Sequence, residues 1–201
     1  MQSFLVSTGV VALAEMGDKT QILSLILAAR YRKPVPIILG VLTATLANHA
    51  AAGGIGTWLA SLLNETVLNW TVVASFILMA GWILVPDKFS EGEVAVPKRP
   101  MGVFGTTVFA FFLAEMGDKT QVVTVALAAR FHDFIGVVSG TTLGMMLANI
   151  PVIYLGHRFA DRIPAKAVHV VAAVIFVLLG ALALRNALAG ASPLLSLSNP
   201  S

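Results

Sequence analysis

The sequence predicts an all-α integral membrane protein with six transmembrane helices, arranged as two three-helix inverted repeats. Three observations carry that reading. The composition is too apolar for a water-soluble domain, six apolar spans follow one another, and the stretch LAEMGDKTQ at residues 13–21 recurs unchanged at residues 113–121. Of 201 residues, 57% are hydrophobic and 11% charged, whereas soluble domains carry about 25% charged residues. The chain has no cysteine, which excludes disulfides, thiolate metal sites and cysteine nucleophiles. Its net charge of +3 does not point to nucleic acid, because no basic run is long enough to form a patch. Positive loops beside a membrane account for that charge.

The spans are 4–28, 35–62, 68–85, 102–129, 134–157 and 167–189. Each is long enough to cross a hydrocarbon core of about 30 Å, which takes roughly 20 residues. The first is not a cleavable signal peptide, since it lacks a basic start and Glu15 interrupts its apolar run. RYRKP leads into the second span, and LNET separates the second from the third. PDKFSEGEVAVPKRP follows the third, RFHD parts the fourth from the fifth, and HRFADRIPAK precedes the sixth. These connections hold most of the charge, and proline marks several span ends. The tail ASPLLSLSNPS is uncharged and reads as a loose end. The whole chain is one transporter domain: a first repeat over 1–86, a cytoplasmic linker over 87–101, a second repeat over 102–190 and a tail over 191–201.

Orientation follows from basic residues. Loops after the first, third and fifth spans carry Arg30, Arg32, Lys33, Lys88, Lys98, Arg99, Arg158, Arg162 and Lys166, while the opposite side carries Arg130 and Arg185. The richer side is cytoplasmic, so both termini are expected outside the cytoplasm. Lys19 and Lys119 belong to the repeated motif itself.

The duplication extends past the motif. LAEMGDKTQILSLILAAR answers LAEMGDKTQVVTVALAAR, LAN at 46–48 answers LAN at 147–149, Gly56 answers Gly156, and VVASFILMAG answers VVAAVIFVLLG. Three spans per half is an odd number, so the second half enters the membrane from the opposite face. Inverted repeats of this kind place their binding site near the midplane, where the halves meet. Glu15 lies roughly 17 Å along a helix from Phe4, and Glu115 roughly 20 Å from Gly102, both near the bilayer centre. On a continuous helix Glu15, Asp18 and Lys19 fall at about 0°, 300° and 40°, one arc, as do Glu115, Asp118 and Lys119. Gly17 and Gly117 permit close packing or a local break there.

The simplest reading pairs Glu15 with Lys19, a favourable i,i+4 arrangement. One surplus carboxylate then remains in each half, a net charge of −2 that matches a divalent cation. Ionisable groups at that depth are costly unless paired or used. Asn48 and Asn149 offer neutral oxygens to a cation or interhelical hydrogen bonds. Thr20, Gln21, Thr120 and Gln121 either add oxygens or bond back to their own helices. Met16 and Met116 read as packing, although a thioether ligand would favour a softer transition metal. His49 has no counterpart in the second half, where Ile150 stands, and reads as a local polar contact. Arg30 and Arg130 read as interface anchors.

The doubled Glu-x-Gly-Asp-Lys-Thr pattern, in six spans and about two hundred residues, resembles the MneA-type manganese exporter family. The Golgi manganese and calcium cation/proton exchangers are its eukaryotic relatives, within the lysine-exporter (LysE) superfamily. The resemblance covers essentially the whole chain and implies that Glu15, Asp18, Glu115 and Asp118 hold the cation. It differs outside the motifs, in a short central loop and one extra residue after Gly140. The expected function is export of Mn2+ from the cytoplasm across the cell inner membrane, in exchange for protons and by alternating access. Oxygen ligands suit Mn2+, Ca2+ and Mg2+ alike, so the resemblance rather than the spacing selects manganese. The metal is cargo, no cofactor is expected, and the partners are the lipid bilayer and the ion. The alternatives are a Ca2+/H+ antiporter on the same residues, a lysine-exporter-like carrier of cationic amino acids, and an intramembrane enzyme using paired acids. Against the last, no nucleophile–base set appears. Proton coupling follows from charge: with the ion gone, uncompensated carboxylates facing one another in a low dielectric need protons in its place.

Overall fold

A computed structural model describes residues 1–82 and 101–155, together with separate helical positions between 174 and 188. The linker at 87–100, Gly156, the basic residues Lys88, Lys98, Arg99, Arg158, Arg162 and Lys166, most of the sixth span and the tail lie outside the described residues. Seven helices follow in order: α1 (Gln2–Glu15), α2 (Lys19–Tyr31), α3 (Pro34–Leu62), α4 (Glu65–Trp82), α5 (Val103–Glu115), α6 (Lys119–Phe131) and α7 (Phe134–Leu155). No strand occurs among the described residues.

Spans 4–28 and 102–129 are not the continuous helices on which the single-arc geometry rested. Each is two short helices joined by three residues. Met16 is extended (φ −67°, ψ 116°) and Asp18 likewise (φ −82°, ψ 168°), with Gly17 between them at φ 85°. The second copy repeats this at Met116 (φ −63°, ψ 120°) and Asp118 (φ −78°, ψ 165°), around Gly117 at φ 76°. Glycine takes positive φ without steric cost, and here it lets the chain leave the helix and re-enter within three residues. Side-chain amides hold both breaks, since the backbone N–H of Gly17 donates to Gln21 Oε1 and that of Gly117 to Gln121 Oε1, each at 2.9 Å.

The long helices span what the short ones share. α3, α4 and α7 (over Phe134–Tyr154) are long and apolar enough to cross a membrane, and α1 and α5 are shorter apolar helices. Pro34 and Pro36 fall in the first turn of α3, where a missing N–H costs nothing. α2 and α6 end on left-handed residues, Arg32 and His132, whose backbone N–H groups close onto the carbonyls of Ala28 and Ala128. The straight helices pack along the broken ones: α7 against α1 and α2, α3 against α5 and α6. Two apolar clusters form the core, one around Val11, Phe76, Leu127 and Met145, the other around Leu27, Ile37, Val41 and Phe111.

Glycines set how closely the helices approach. A methyl group at Gly140 would lie 2.5 Å from the Phe4 carbonyl oxygen, and one at Gly144 would lie 2.6 Å from that of Thr8. One at Gly40 would lie 2.6 Å from Thr107 Cβ, and one at Gly56 would collide with the Val125 carbonyl. Within lipid, where no hydrophobic force drives helices together, such backbone approach is what van der Waals attraction acts through. At one end of the bundle Ser3 donates a hydrogen bond to Asp133 Oδ2, and Asp133 Oδ1 accepts the Gly136 N–H at 2.9 Å, joining the start of α1 to the start of α7.

Candidate cation site

The two breaks carry the acids. Glu15 and Glu115 close α1 and α5, while Asp18 and Asp118 stand at the N-caps of α2 and α6. A helix N-terminus favours negative charge, through its dipole and its unsatisfied N–H groups. All four carboxylates are buried: the glutamates are 0% exposed and the aspartates 4%.

Three of the four converge. Glu15, Asp18 and Asp118 each present an oxygen, and these oxygens lie within 4.8 Å of one another. The group therefore draws two acids from the first motif and one from the second. Thr20 donates to Glu15 Oε2 at 2.6 Å, and Glu15 Oε1 is buried without a hydrogen-bond partner among the described residues. Lys19, expected to pair along its own helix, reaches across to the other motif, with Nζ 2.9 Å from Asp118 Oδ1.

Glu115 stands outside that group of three. Thr45 donates to its Oε1 at 2.8 Å, and Asn48 Nδ2 lies 3.5 Å from its Oε2 and 3.2 Å from the Phe112 carbonyl. Asn149, its counterpart by sequence, does something different: its Oδ1 accepts from Ser24 at 2.6 Å and its Nδ2 donates to the Met145 carbonyl at 3.1 Å. Both asparagines thus make interhelical contacts. Gln21 spans as well, with Nε2 donating to the Ala148 carbonyl at 2.9 Å. Thr120 Oγ1 lies 3.5 Å from Asp118 Oδ2. Lys119 is buried, Met16 is partly buried, and Met116 is 55% exposed. His49 is fully buried, with neither ring nitrogen hydrogen-bonded among the described residues.

Thr45 and Ser24 are site neighbours that the sequence reading passed over. Thr45 had a usable signal, since it sits three residues before Asn48 and so on the same face of α3. Ser24 had none, because its contact depends on how α2 lies along α7.

An all-oxygen set of carboxylates, hydroxyls and an amide suits a hard divalent cation. Apolar helices interrupted at buried acids define a membrane transporter of cations. The chain belongs to the family described as divalent cation/proton antiporter GDT1, whose model matches residues 3–91 and again residues 103–191. It is 49% identical over 180 residues to the "Putative manganese exporter" of Vibrio cholerae serotype O1, covering 89% of this chain and 88% of that protein. A GDT1-like protein of Synechocystis is 30% identical over 190 residues, 84% of this chain and 89% of that one. GDT1-like protein 3 of Oryza sativa subsp. indica is 26% identical over 194 residues, 85% of this chain and 69% of that one. No solved structure matches the chain.

Proposed function

We propose that this protein exports Mn2+ from the cytoplasm across the inner membrane in exchange for protons, by alternating access, in a fold of two inverted three-helix repeats. The observation that carries the reading is the convergence of Glu15, Asp18 and Asp118, acids from two separate motif copies, within 4.8 Å of one another in a buried, apolar setting. In this conformation these three are the ion's ligands. Glu115, held by Thr45 and Asn48, takes part in another conformation of the cycle. Asn149, Gln21 and Gln121 keep the broken helices in register.

Manganese is favoured by the name of the Vibrio relative; the oxygen donors accept Ca2+ equally well, and a Ca2+/H+ antiporter is the second reading. Exchange follows from charge balance, because converging buried acids need compensating positive charge whether or not metal is bound. Repeats over 1–86 and 102–190 are supported by the family model matching twice, and by the packing of α1 on α7 and of α5 on α3. The excess of basic residues in the loops after the first, third and fifth spans supports termini outside the cytoplasm.

The test is uptake of Mn2+ and Ca2+ by everted vesicles, with and without an imposed pH gradient. Mn2+ accumulation that collapses with the gradient is expected. Flux indifferent to the gradient, or a preference for Ca2+, would replace this reading. Orientation is checked with single cysteines in a chain that has none: one at Gln2 should react with an impermeant maleimide from outside, and one at Ser90 should not.

A further inference from the structure

A charged contact runs between the two motif copies. Lys19 is the first residue of α2, and its Nζ lies 2.9 Å from Oδ1 of Asp118, the N-cap of α6. Asp118 is 4% exposed and the Lys19 side chain 26%. The same aspartate presents an oxygen to the group it forms with Glu15 and Asp18. The ammonium of a part-exposed lysine therefore touches a member of the triad.

Three ionised carboxylates carry −3. A lysine held against one of them offsets one of those charges and adds a repulsion that grows with the charge of the incoming ion. Lysine suits this role because its charge is compact and sits at the end of a flexible stem, so it contacts one carboxylate oxygen without the two-pronged grip of arginine. Electrostatic discrimination between ions of different valence follows directly. A fixed positive charge near a site repels a trivalent ion half again as strongly as a divalent one at the same distance.

We infer that Lys19 biases the site toward divalent over trivalent cations, because it offsets the charge of one of the three ligand carboxylates. This rests on the reading of Glu15, Asp18 and Asp118 as ligands. Lys19 acts through Asp118 and the local field; it is a specificity-determining residue, not a ligand. Were Lys19 instead simply expelled whenever any cation bound, the cost of expelling it would be the same for every cation, and its removal would tighten all of them equally.

The experiment measures binding of Mn2+ and Tb3+ to the purified full-length protein in detergent, with Tb3+ luminescence and Mn2+ competition as the readouts. For Lys19→Gln and Lys19→Met, the affinity ratio of Tb3+ to Mn2+ should rise on the order of tenfold or more. Lys19→Arg keeps the charge and should return the ratio to that of the unaltered protein, which separates a charge effect from a disturbed fold. A ratio unchanged in both neutral variants would overturn the inference, even if both ions bound more tightly. Asp118→Asn tests the underlying site independently, and should weaken both ions. Mn2+ binding that survives Asp118→Asn would overturn the ligand reading itself, and with it the role given to Lys19.

Discussion

Replacing each acid in turn by its amide separates the three converging carboxylates from the fourth. Asp18→Asn, Asp118→Asn, Glu15→Gln and Glu115→Gln all keep volume and remove charge. Carboxylate oxygens at the 4.8 Å limit repel one another by about 3 kcal/mol per pair at an effective dielectric of about 20. A divalent ion about 2.3 Å from one charged oxygen gains roughly 14 kcal/mol on the same scale. The repulsions are present with and without the ion and do not enter Kd, whereas the attraction is forfeited on neutralisation. Desolvation and the remaining amide oxygen offset much of it, so the expected loss is about 3–5 kcal/mol, as for a broken buried charge pair, or on the order of a thousandfold in Kd. Glu115 is buried but lies outside the group and is already hydrogen-bonded by Thr45 and Asn48, so Glu115→Gln should change equilibrium Mn2+ binding by about tenfold or less. Transport should be abolished by all four changes, since in the proposed cycle each acid meets the ion at some point. Calorimetric or spin-resonance titration of purified protein gives the first quantity, and flux into proteoliposomes the second. A binding loss for Glu115→Gln as large as for the other three would refute the division drawn from the geometry.

Gly144→Ala should destabilise the protein by about 1–3 kcal/mol through overpacking, because its methyl would meet backbone atoms of α1, while Gly9→Ala, with nothing within 4 Å, should be neutral or stabilising; thermal unfolding in detergent compares them. The Ser3 hydroxyl, and after it the Gly136 N–H, hold the Asp133 carboxyl below its usual value of 3.8. A depressed folded-state value stabilises above the unfolded value and is lost as pH falls through the folded one. Unfolding temperatures of Ser3→Ala should therefore lie under those of the unaltered protein above pH 3.8 and approach them only as pH falls through the depressed folded-state value; parallel curves would deny the contact a role. Met116→Leu should leave competition between Mn2+ and Ca2+ unchanged, since that side chain is 55% exposed, and a shifted competition curve in vesicles would count against that placement.

The straight helices were legible almost to the residue: spans 35–62 and 134–157 correspond to α3 at Pro34–Leu62 and α7 at Phe134–Leu155, because long apolar runs bounded by proline and charge admit few other readings. The third span began too late. Asn64 Oδ1 accepts the Val67 N–H at 2.8 Å and starts α4 at Glu65, a cap signal present in LNET and outweighed by its polarity. The helix breaks were only half legible. Gly17 advertised the possibility, but a Glu–Lys spacing that looked helical argued for continuity, and the break is held by Gln21, which reaches both Gly17 and the Ala148 carbonyl. That second contact is tertiary, and no local pattern encodes it. For the site, the sequence supplied four acids at one depth. Which three meet depends on how far the halves slide past one another, and that offset is set by glycine contacts distant from the motifs.

Those glycine contacts divide the molecule mechanically. Where Gly140 and Gly144 face α1, and Gly56 faces α6, the nearest atoms are backbone and Cβ atoms, which have no rotamer to change when the helices shift. Between α3 and α7 the contact at Gly53 is with the side chains of Val138 and Phe134, which can change rotamer. These contacts group α1–α2 with α7, and α5–α6 with α3, each a broken helix of one motif copy and an unbroken helix following the other. The chain crosses between units at the short turns containing Arg32 and His132. Asp118 lies in one unit and Glu15 and Asp18 in the other, so the acids straddle the parting line. An ion bound there would act as a removable fastener: fitted, it clamps the two bodies at one angle, and its loss frees them to turn.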